Sequence, residues 1–365
     1  MRFWIAAAAL ALSGCAAPEA APVDEPPHGY VEGAEETAEP QHRLVLADAG
    51  TGAAHVLDLA TGQVTGLGGT GPVESAHGDG RFAYLRQGGG LRIVDSGGWT
   101  VDHGDHLHYY RATPRDVGAV PGRRAYGDSA VTAVSGDGGT LLLDRARLER
   151  GEIARTAAIP YDPVLPHGER LLVPANGTVV TRTGAPAGRI GRSCPEPGDG
   201  VVTRRGAVFG CADGALLVGR DGAEKIPYPD GVRPGAFHGR PGSTVLAATA
   251  GERGVLVLDV TEKTAELLDT GPVTAVNAAG PGAPVLALTA DGVLHAWDPE
   301  SGERLARTSL LPAAGSSVIQ LDTARAYVND PAAKAVHEID YNDGLRRART
   351  FDLGFTPTHM VETGR

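Results

Sequence analysis

Imidazole side chains are concentrated in one short stretch of this 365-residue sequence. The stretch contains His103, His106 and His108, with Asp102 and Asp105 among them. On an extended strand, residues two apart project from the same face, so His106 and His108 offer two ligands on one side. Imidazole and carboxylate are groups that bind Zn²⁺ well. The stretch predicts a zinc site in which the aspartates are further ligands or orient the rings, and a solvated polar loop without a metal is the alternative.

A second set of histidines recurs before glycine at one phase of a repeat, at His77, His167 and His238. Each precedes an apolar strand, near the end of the innermost strand of its unit. In a closed ring these positions converge on one mouth of the central channel, where three imidazoles would meet a metal. The alternative is a duplicated His-Gly turn whose ring bonds a backbone group. The other histidines are predicted to be mainly structural, and His359 ranks low as a ligand.

The elements that must position these residues repeat along the chain. An apolar run ends at Asp and a polar turn follows, at 55–58, 92–95, 141–144, 256–259, 295–298 and 338–340. The spacing is about 40 residues, which is typical of a β-propeller with one four-stranded blade per unit. The sequence predicts an all-β, closed propeller of eight blades, with seven as the alternative. The C-terminal segment 358–362 is expected to complete the first blade, which removes sheet edges.

The position of the His103 stretch on this propeller is left open by the sequence. If the stretch belongs to a long turn between the third and fourth strands of a blade, it lies at the same end as His77. If residues 99–103 are already the outer strand, it lies at the opposite end.

The N-terminus carries an export signal. Residues 3–12 form an apolar run too short to span a bilayer, and Leu12-Ser13-Gly14-Cys15 resembles the bacterial lipobox. Residues 1–15 are predicted to be a signal peptide with Cys15 lipidated, and the lipid is the only membrane anchor expected. The alternative is an ordinary signal peptide with a chance cysteine.

Residues 16–41 are acidic and Pro-rich, without Lys or Arg, and are predicted to be a disordered tether to a propeller domain at 42–365. Within the tether, the segment 28–36 offers His28 and Glu32 as a loose second cation site.

Charge and cysteine content restrict the class of protein further. The net charge of −11 argues against nucleic-acid binding, which requires a basic face. Outside the cytoplasm, Cys194 and Cys211 are expected to form a disulfide. A site with two thiolate ligands is the alternative. The protein is predicted to be a monomer.

These features together resemble the AztD-type zinc metallochaperones. The residues that carry the resemblance are the export signal, the segment 28–36, the string Asp102–Tyr110, the cysteine pair and the segment 356–360. The resemblance implies an extracytoplasmic β-propeller that binds Zn²⁺ and passes it to the substrate-binding protein of a zinc ABC transporter. It favours His106 and His108 as ligands, followed by His77 and His167. The tether has fewer histidines than the family suggests, and residues 195–199 lack an expected His-Gly pair.

Two other functions stay open at this point. A metal-free propeller scaffold that docks envelope proteins is compatible with the fold, since propellers host many functions. A zinc-dependent hydrolase is suggested by His103-Gly104-Asp105-His106, which matches the tail of the His-x-His-x-Asp-His string of metallo-β-lactamase-like enzymes. The leading histidine of that string is replaced by Val101. The chain is therefore predicted not to be an enzyme.

Overall fold

The computed structural model describes residues 29–365, where nearly all regular structure is antiparallel β-sheet. Seven sheets in this range have four strands and two have three. A short α-helix, Arg145–Glu149, and a 3-10 turn, Gly251–Arg253, are the other regular elements between residues 29 and 365. Neither is long and apolar enough to cross a bilayer. Cys15, His28, the predicted signal peptide and the start of the predicted tether lie outside the described residues.

Eight sheets follow one another along the chain and are numbered here in that order. Sheet 1 contains Arg43–Ala47, Ala53–Asp58, Val64–Gly69 and His359–Thr363. Sheet 2 contains Ser75–Gly78, Phe82–Gln87, Gly90–Asp95 and Arg115–Pro121. Sheet 3 contains Arg124–Gly127, Val131–Gly136, Gly139–Asp144 and Arg155–Ile159. Sheet 4 contains Leu165–His167, Arg170–Val173, Thr178–Thr181 and Pro186–Arg189.

The second half of the chain continues the series. Sheet 5 contains Gly200–Thr203, Gly206–Cys211, Gly214–Gly219 and Gly222–Ile226. Sheet 6 contains Val245–Thr249, Gly254–Asp259 and Thr264–Asp269, and His238 pairs with Ala247 through two backbone hydrogen bonds on its inner side. Sheet 7 contains Ala275–Ala278, Val285–Leu288, Val293–Trp297 and Arg304–Ser309. Sheet 8 contains Ile319–Leu321, Arg325–Asp330, Ala335–Asp340 and Arg346–Asp352.

The repeated Asp at the end of each apolar run has a local structural role. One carboxylate oxygen of Asp58 accepts hydrogen bonds from the backbone N–H groups of Ala60 and Thr61. Asp259 and Asp298 bind the two equivalent N–H groups in their own turns. Strands are counted here from the inner side of each sheet, so that His359–Thr363 is the first strand of sheet 1 and the segment at His238 takes that place in sheet 6. The turn satisfies backbone donors where the chain reverses, so the third strand stops at the same place in these three sheets.

Apolar clusters lie between successive sheets and join the last sheet to the first. Val45 and Val56 of sheet 1 pack against Leu85 of sheet 2. Leu44 of sheet 1 packs in one cluster with Val336 of sheet 8. The other six clusters join sheets 2 and 3, 3 and 4, 4 and 5, 5 and 6, 6 and 7, and 7 and 8. Each sheet is therefore covered on both faces by its neighbours, which is how propeller blades bury apolar surface.

The C-terminal strand completes sheet 1, as predicted. His359–Thr363 pairs antiparallel with Arg43–Ala47, from Ala47 opposite His359 to Arg43 opposite Thr363. The disulfide between Cys194 and Cys211 is also present, with the sulfur atoms 1.98 Å apart. It joins the segment after sheet 4 to the second strand of sheet 5.

A ninth sheet, called here the hairpin sheet, interrupts sheet 2 between its third and fourth strands. It contains Gly98–Asp102, Leu107–Arg111 and Glu35–Thr37. The last strand lies within the tether that was expected to be disordered up to Gln41, and that expectation is wrong for these residues. The carboxylate of Glu35 forms two hydrogen bonds with the guanidinium of Arg111, so pairing neutralises part of the acidic charge that favoured disorder.

Candidate metal centre

The His103 stretch forms the turn of the hairpin sheet. Asp102 pairs with Leu107, and four residues between them reverse the chain. The backbone N–H of His103 donates to the carbonyl of His106 at 3.1 Å. A carboxylate oxygen of Asp102 accepts from the N–H of Gly104 at 2.7 Å, and Gly104 has a φ of +89°. The turn therefore brings His103 back beside His106.

Three imidazole rings meet at this turn. The ring centroids of His103 and His106 are 4.9 Å apart, those of His106 and His108 are 4.9 Å apart, and those of His103 and His108 are 5.2 Å apart. One ring nitrogen from each residue lies within 4.8 Å of the other two. In a tetrahedral site with Zn–N bonds of about 2.0–2.1 Å, ligand atoms lie about 3.4 Å apart. His103 and His106 are exposed, so small side-chain rotations close this gap.

Two carboxylates orient the rings. Asp105 Oδ1 lies 2.8 Å from Nδ1 of His106, and Glu36 Oε1 lies 2.6 Å from Nδ1 of His108. A carboxylate accepts a hydrogen bond from Nδ1–H, which leaves the lone pair of the second nitrogen, Nε2, for a cation. The hydrogen bond to His106 also lowers the pKa of Asp105. This carboxylate–imidazole arrangement is the one that metal-binding histidines usually show.

The base of the hairpin sheet is fixed to the body of the protein. The guanidinium of Arg81 lies 3.7 Å from the ring centre of Trp99 and pairs with the buried carboxylate of Asp95 at 3.0 Å. Thr100 donates to the carbonyl of Gly364 at 3.3 Å. Cation–π and buried ionic contacts of this kind limit rotation, so the turn projects from a rigid support.

The connection to sheet 2 decides between the two positions that the sequence left open. The hairpin sheet is inserted after the third strand, and Ser96 at its start donates from N–H and Oγ to the carbonyl of Arg81. Arg81 belongs to the turn between the first and second strands of sheet 2. The three imidazoles therefore leave the sheet at the end that carries this turn, which is the end nearer His77.

His77 itself makes contacts within sheet 2 and with sheet 3. Its Nε2 accepts a hydrogen bond from the backbone N–H of Ala125 at 2.9 Å, and its ring stacks on Tyr84. Burial, followed by the charge of Arg124, lowers the pKa of His77 to about 4. His77 is therefore a neutral imidazole that accepts a hydrogen bond from the innermost strand of the next sheet. This is the alternative in which the ring of a duplicated His-Gly turn bonds a backbone group.

His167 and His238 stand at the predicted repeat position, at the inner strand of sheet 4 and on the inner side of sheet 6. Within residues 29–365, one group of three metal-capable side chains lies close enough to share an ion, and it consists of His103, His106 and His108. The structure therefore does not bring the repeat-phase histidines together as a ligand set. Glu32 is exposed in a turn and is likewise outside this group.

The other histidines make local contacts. His42 pairs with Glu362, His55 stacks on Phe355, His295 stacks on Trp297, His337 pairs with Asp330, and His359 bonds to the carbonyl of Val73. Sequence reasoning missed Glu36 as a partner of His108, because the two residues are 72 positions apart and Glu36 lies in an acidic stretch. The ion pair of Glu35 with Arg111 accompanies this strand pairing in the structure, and no local sequence signal marks it.

The fold has solved relatives. It is similar to AztD from Citrobacter koseri, with a TM-score of 0.75 and 18% sequence identity over 89% of this chain and 98% of that chain. Apo AztD from the same organism gives a TM-score of 0.74 at 16% identity, with the same coverage. Dihydro-heme d1 dehydrogenase NirN in complex with DHE gives 0.57 at 16% identity, covering 88% of this chain and 75% of that chain.

No protein-family model and no curated protein matches the sequence. At these identities the structural likeness shows a shared fold. The predicted resemblance to AztD is thereby confirmed for the fold, and the chain is a propeller-like all-β protein.

Proposed function

We propose that this protein binds Zn²⁺ through His103, His106 and His108 outside the cytoplasm and delivers it to the substrate-binding protein of a zinc ABC transporter. The observation that carries the proposal is the meeting of three imidazoles, two of which have Nδ1 bonded to a carboxylate. The fold shared with AztD supports the same conclusion.

The exposure of the site fits delivery of an ion. A structural zinc site has four protein ligands and is closed, whereas three ligands leave one position open. An acceptor protein can place its own ligand in that position before the donor ligands leave. The exposed turn gives such a ligand direct access. The same exposure favours exchange of an ion over hydrolysis of an enclosed substrate.

The proposal also includes the closure of the sheets, the compartment and the oligomeric state. The eight sheets form a closed eight-bladed ring, supported by the apolar cluster between sheets 8 and 1 and by the C-terminal strand in sheet 1. The disulfide fits an oxidising compartment. Lipidation at Cys15 holds the protein at the outer face of the membrane, and the protein works as a monomer.

The proposal is tested by zinc titration of the untagged protein in competition with a chromophoric chelator. The double variant His106→Ala, His108→Ala should lose measurable binding of one Zn²⁺, because one imidazole remains. A matched double variant, His167→Ala, His238→Ala, should retain it. Equal affinity in the wild type and the first variant would overturn the assignment of the site.

Delivery requires a second experiment. Zinc-loaded protein is mixed with the apo substrate-binding protein, and transfer is compared with release to a small chelator of the same affinity. Transfer faster than release to the chelator indicates direct exchange in a complex. Identical rates would show that zinc passes through solution, which contradicts delivery while leaving the binding site intact.

A further inference from the structure

A surface cavity of about 480 Å³ lies at one end of sheet 4, beside the disulfide. Its polar lining comes from the turn before the third strand of sheet 4, from the end of the strand Pro186–Arg189 and from the segment that leads to sheet 5. The residues that matter here are Asn176, Gly177, Arg189, Gly191, Arg192 and Ser193. None of the residues lining this cavity is an aspartate or glutamate.

The two arginines of this cavity differ in their ion pairing from Arg233 and Arg111, which line two other cavities. In the part of the chain that the structure describes, Arg192 forms no ion pair, and Arg189 donates only to the carbonyl of Asn176, at 3.3 Å. In a cavity on the other side of the disulfide segment, Arg233 pairs with Glu196 at 3.3 Å. In a cavity beside the hairpin sheet, Arg111 pairs with Glu35. Two guanidinium groups without a carboxylate make the first cavity positive.

The walls of the cavity are fixed on both sides. Gly177 donates from its N–H to the carbonyl of Pro174, and Asn176 Oδ1 accepts from the N–H of Thr178, which closes the turn. The amide NH₂ of Asn176 remains as a donor. On the other side, the disulfide holds Cys194 against sheet 5. Such support reduces the backbone entropy lost on binding, while the donor side chains of Asn176, Arg189, Arg192 and Ser193 are exposed and accessible to a ligand.

We propose that this cavity binds a phosphate group. Guanidinium groups bind phosphate through two parallel N–H···O hydrogen bonds, and Asn176 and Ser193 add donors for further oxygens. The phosphate is either inorganic phosphate or the headgroup of an anionic phospholipid, and both offer the same chemistry. In the proposed ring, the cavity opens at the end opposite the His103 turn, because it uses the turn between second and third strands. Phosphate binding is therefore independent of zinc.

The test is calorimetric titration of the metal-free full chain with inorganic phosphate, and co-sedimentation with phosphatidylglycerol vesicles. Saturable binding of one phosphate, or sedimentation that inorganic phosphate competes away, is expected. The double variant Arg189→Gln, Arg192→Gln should weaken it at least tenfold. The matched variant Arg304→Gln, Arg307→Gln removes the same charge from an exposed strand of sheet 7 and should leave binding unchanged.

Each outcome bears on the proposal. Vesicle binding that is lost in Arg189→Gln, Arg192→Gln, without binding of inorganic phosphate, identifies the headgroup, and the reverse identifies free phosphate. Equal losses in both double variants would show a general charge effect and overturn the site, as would phosphate binding that never saturates. Zinc affinity should be the same in all three proteins, so a failure here does not affect the metal proposal.

Discussion

His103, His106 and His108 lie within six residues of the chain, whereas His77, His167 and His238 come from three different sheets. Both sets were candidates for a metal site. The first set meets in space because one turn and the alternation of one strand control its geometry. The second set depends on how separate sheets are placed, and its three members do not gather as a ligand set. Residues that are close in sequence on a hairpin are therefore the more reliable ligand set.

The two sets also differ in what their nitrogens bind. The turn is exposed, so water can hydrate its imidazoles until an ion arrives. Ala125 on the innermost strand of sheet 3 is buried, and a buried backbone N–H needs an acceptor. His77 supplies that acceptor to Ala125 across the junction of two sheets. The imidazole of His77 on an inner strand thus stabilises the fold, whereas His106 and His108 on the hairpin bond carboxylates through Nδ1, which leaves Nε2 for a cation.

Acid should have the largest effect of the changes predicted here, and this effect should arise at His77. The pKa of His77 is lowered to about 4 by burial, and an imidazole in the unfolded chain titrates near pH 6.5. Between these values the unfolded chain binds more protons, so the free energy of unfolding falls as pH falls from about 6.5 to 4. The contribution is on the order of 3 kcal/mol. Urea unfolding at several pH values measures it.

The control for this experiment is His77→Gln, which cannot titrate and should show a shallower loss in the same window. His42 acts in the opposite direction. Burial alone lowers its pKa, but the neighbouring carboxylate of Glu362 outweighs burial and raises it. Its stabilisation is complete below about pH 6.5 and is lost as pH rises through the raised pKa. Equal slopes in the wild type and His77→Gln would contradict the role assigned to His77.

At neutral pH, single alanine variants should affect stability in the repeat-phase set of histidines and zinc affinity in the hairpin set. His77→Ala leaves the N–H of Ala125 without its acceptor and should lower the free energy of unfolding by about 1–3 kcal/mol, with zinc affinity unchanged. His103→Ala removes an exposed side chain and should change stability by less than about 0.5 kcal/mol while weakening zinc binding. Urea unfolding and zinc titration of both variants check the contrast. A stable His77→Ala protein with weaker zinc binding would reverse it.

The sequence predicts those features that depend on residues close together along the chain. Apolar runs that end in Asp correspond to the third strands, because the carboxylate closes the following turn within three residues. Pairing of the C-terminal strand follows from the need to close a sheet edge. The strand Glu35–Thr37 was not predicted, because its partner lies more than 70 residues away and its acidic neighbours are typical of disorder. The end of sheet 2 that carries the hairpin is set by the hydrogen bonds from Ser96 to the carbonyl of Arg81, which the sequence does not show.

Substitution of Glu36 should have the smallest effect of the changes predicted here, and it tests the support of one imidazole of the hairpin. Glu36→Gln preserves the shape of the side chain but removes the charge beside Nδ1 of His108, so zinc affinity should fall about tenfold. Glu35→Gln is the matched control, because it weakens the same strand through Arg111 without touching an imidazole. Zinc titration of both proteins should show a loss for Glu36→Gln alone. Equal losses would mean that the ordered strand Glu35–Thr37 supports the site, and not the carboxylate of Glu36 beside the imidazole of His108. The metal centre would then depend on residues beyond the hairpin turn.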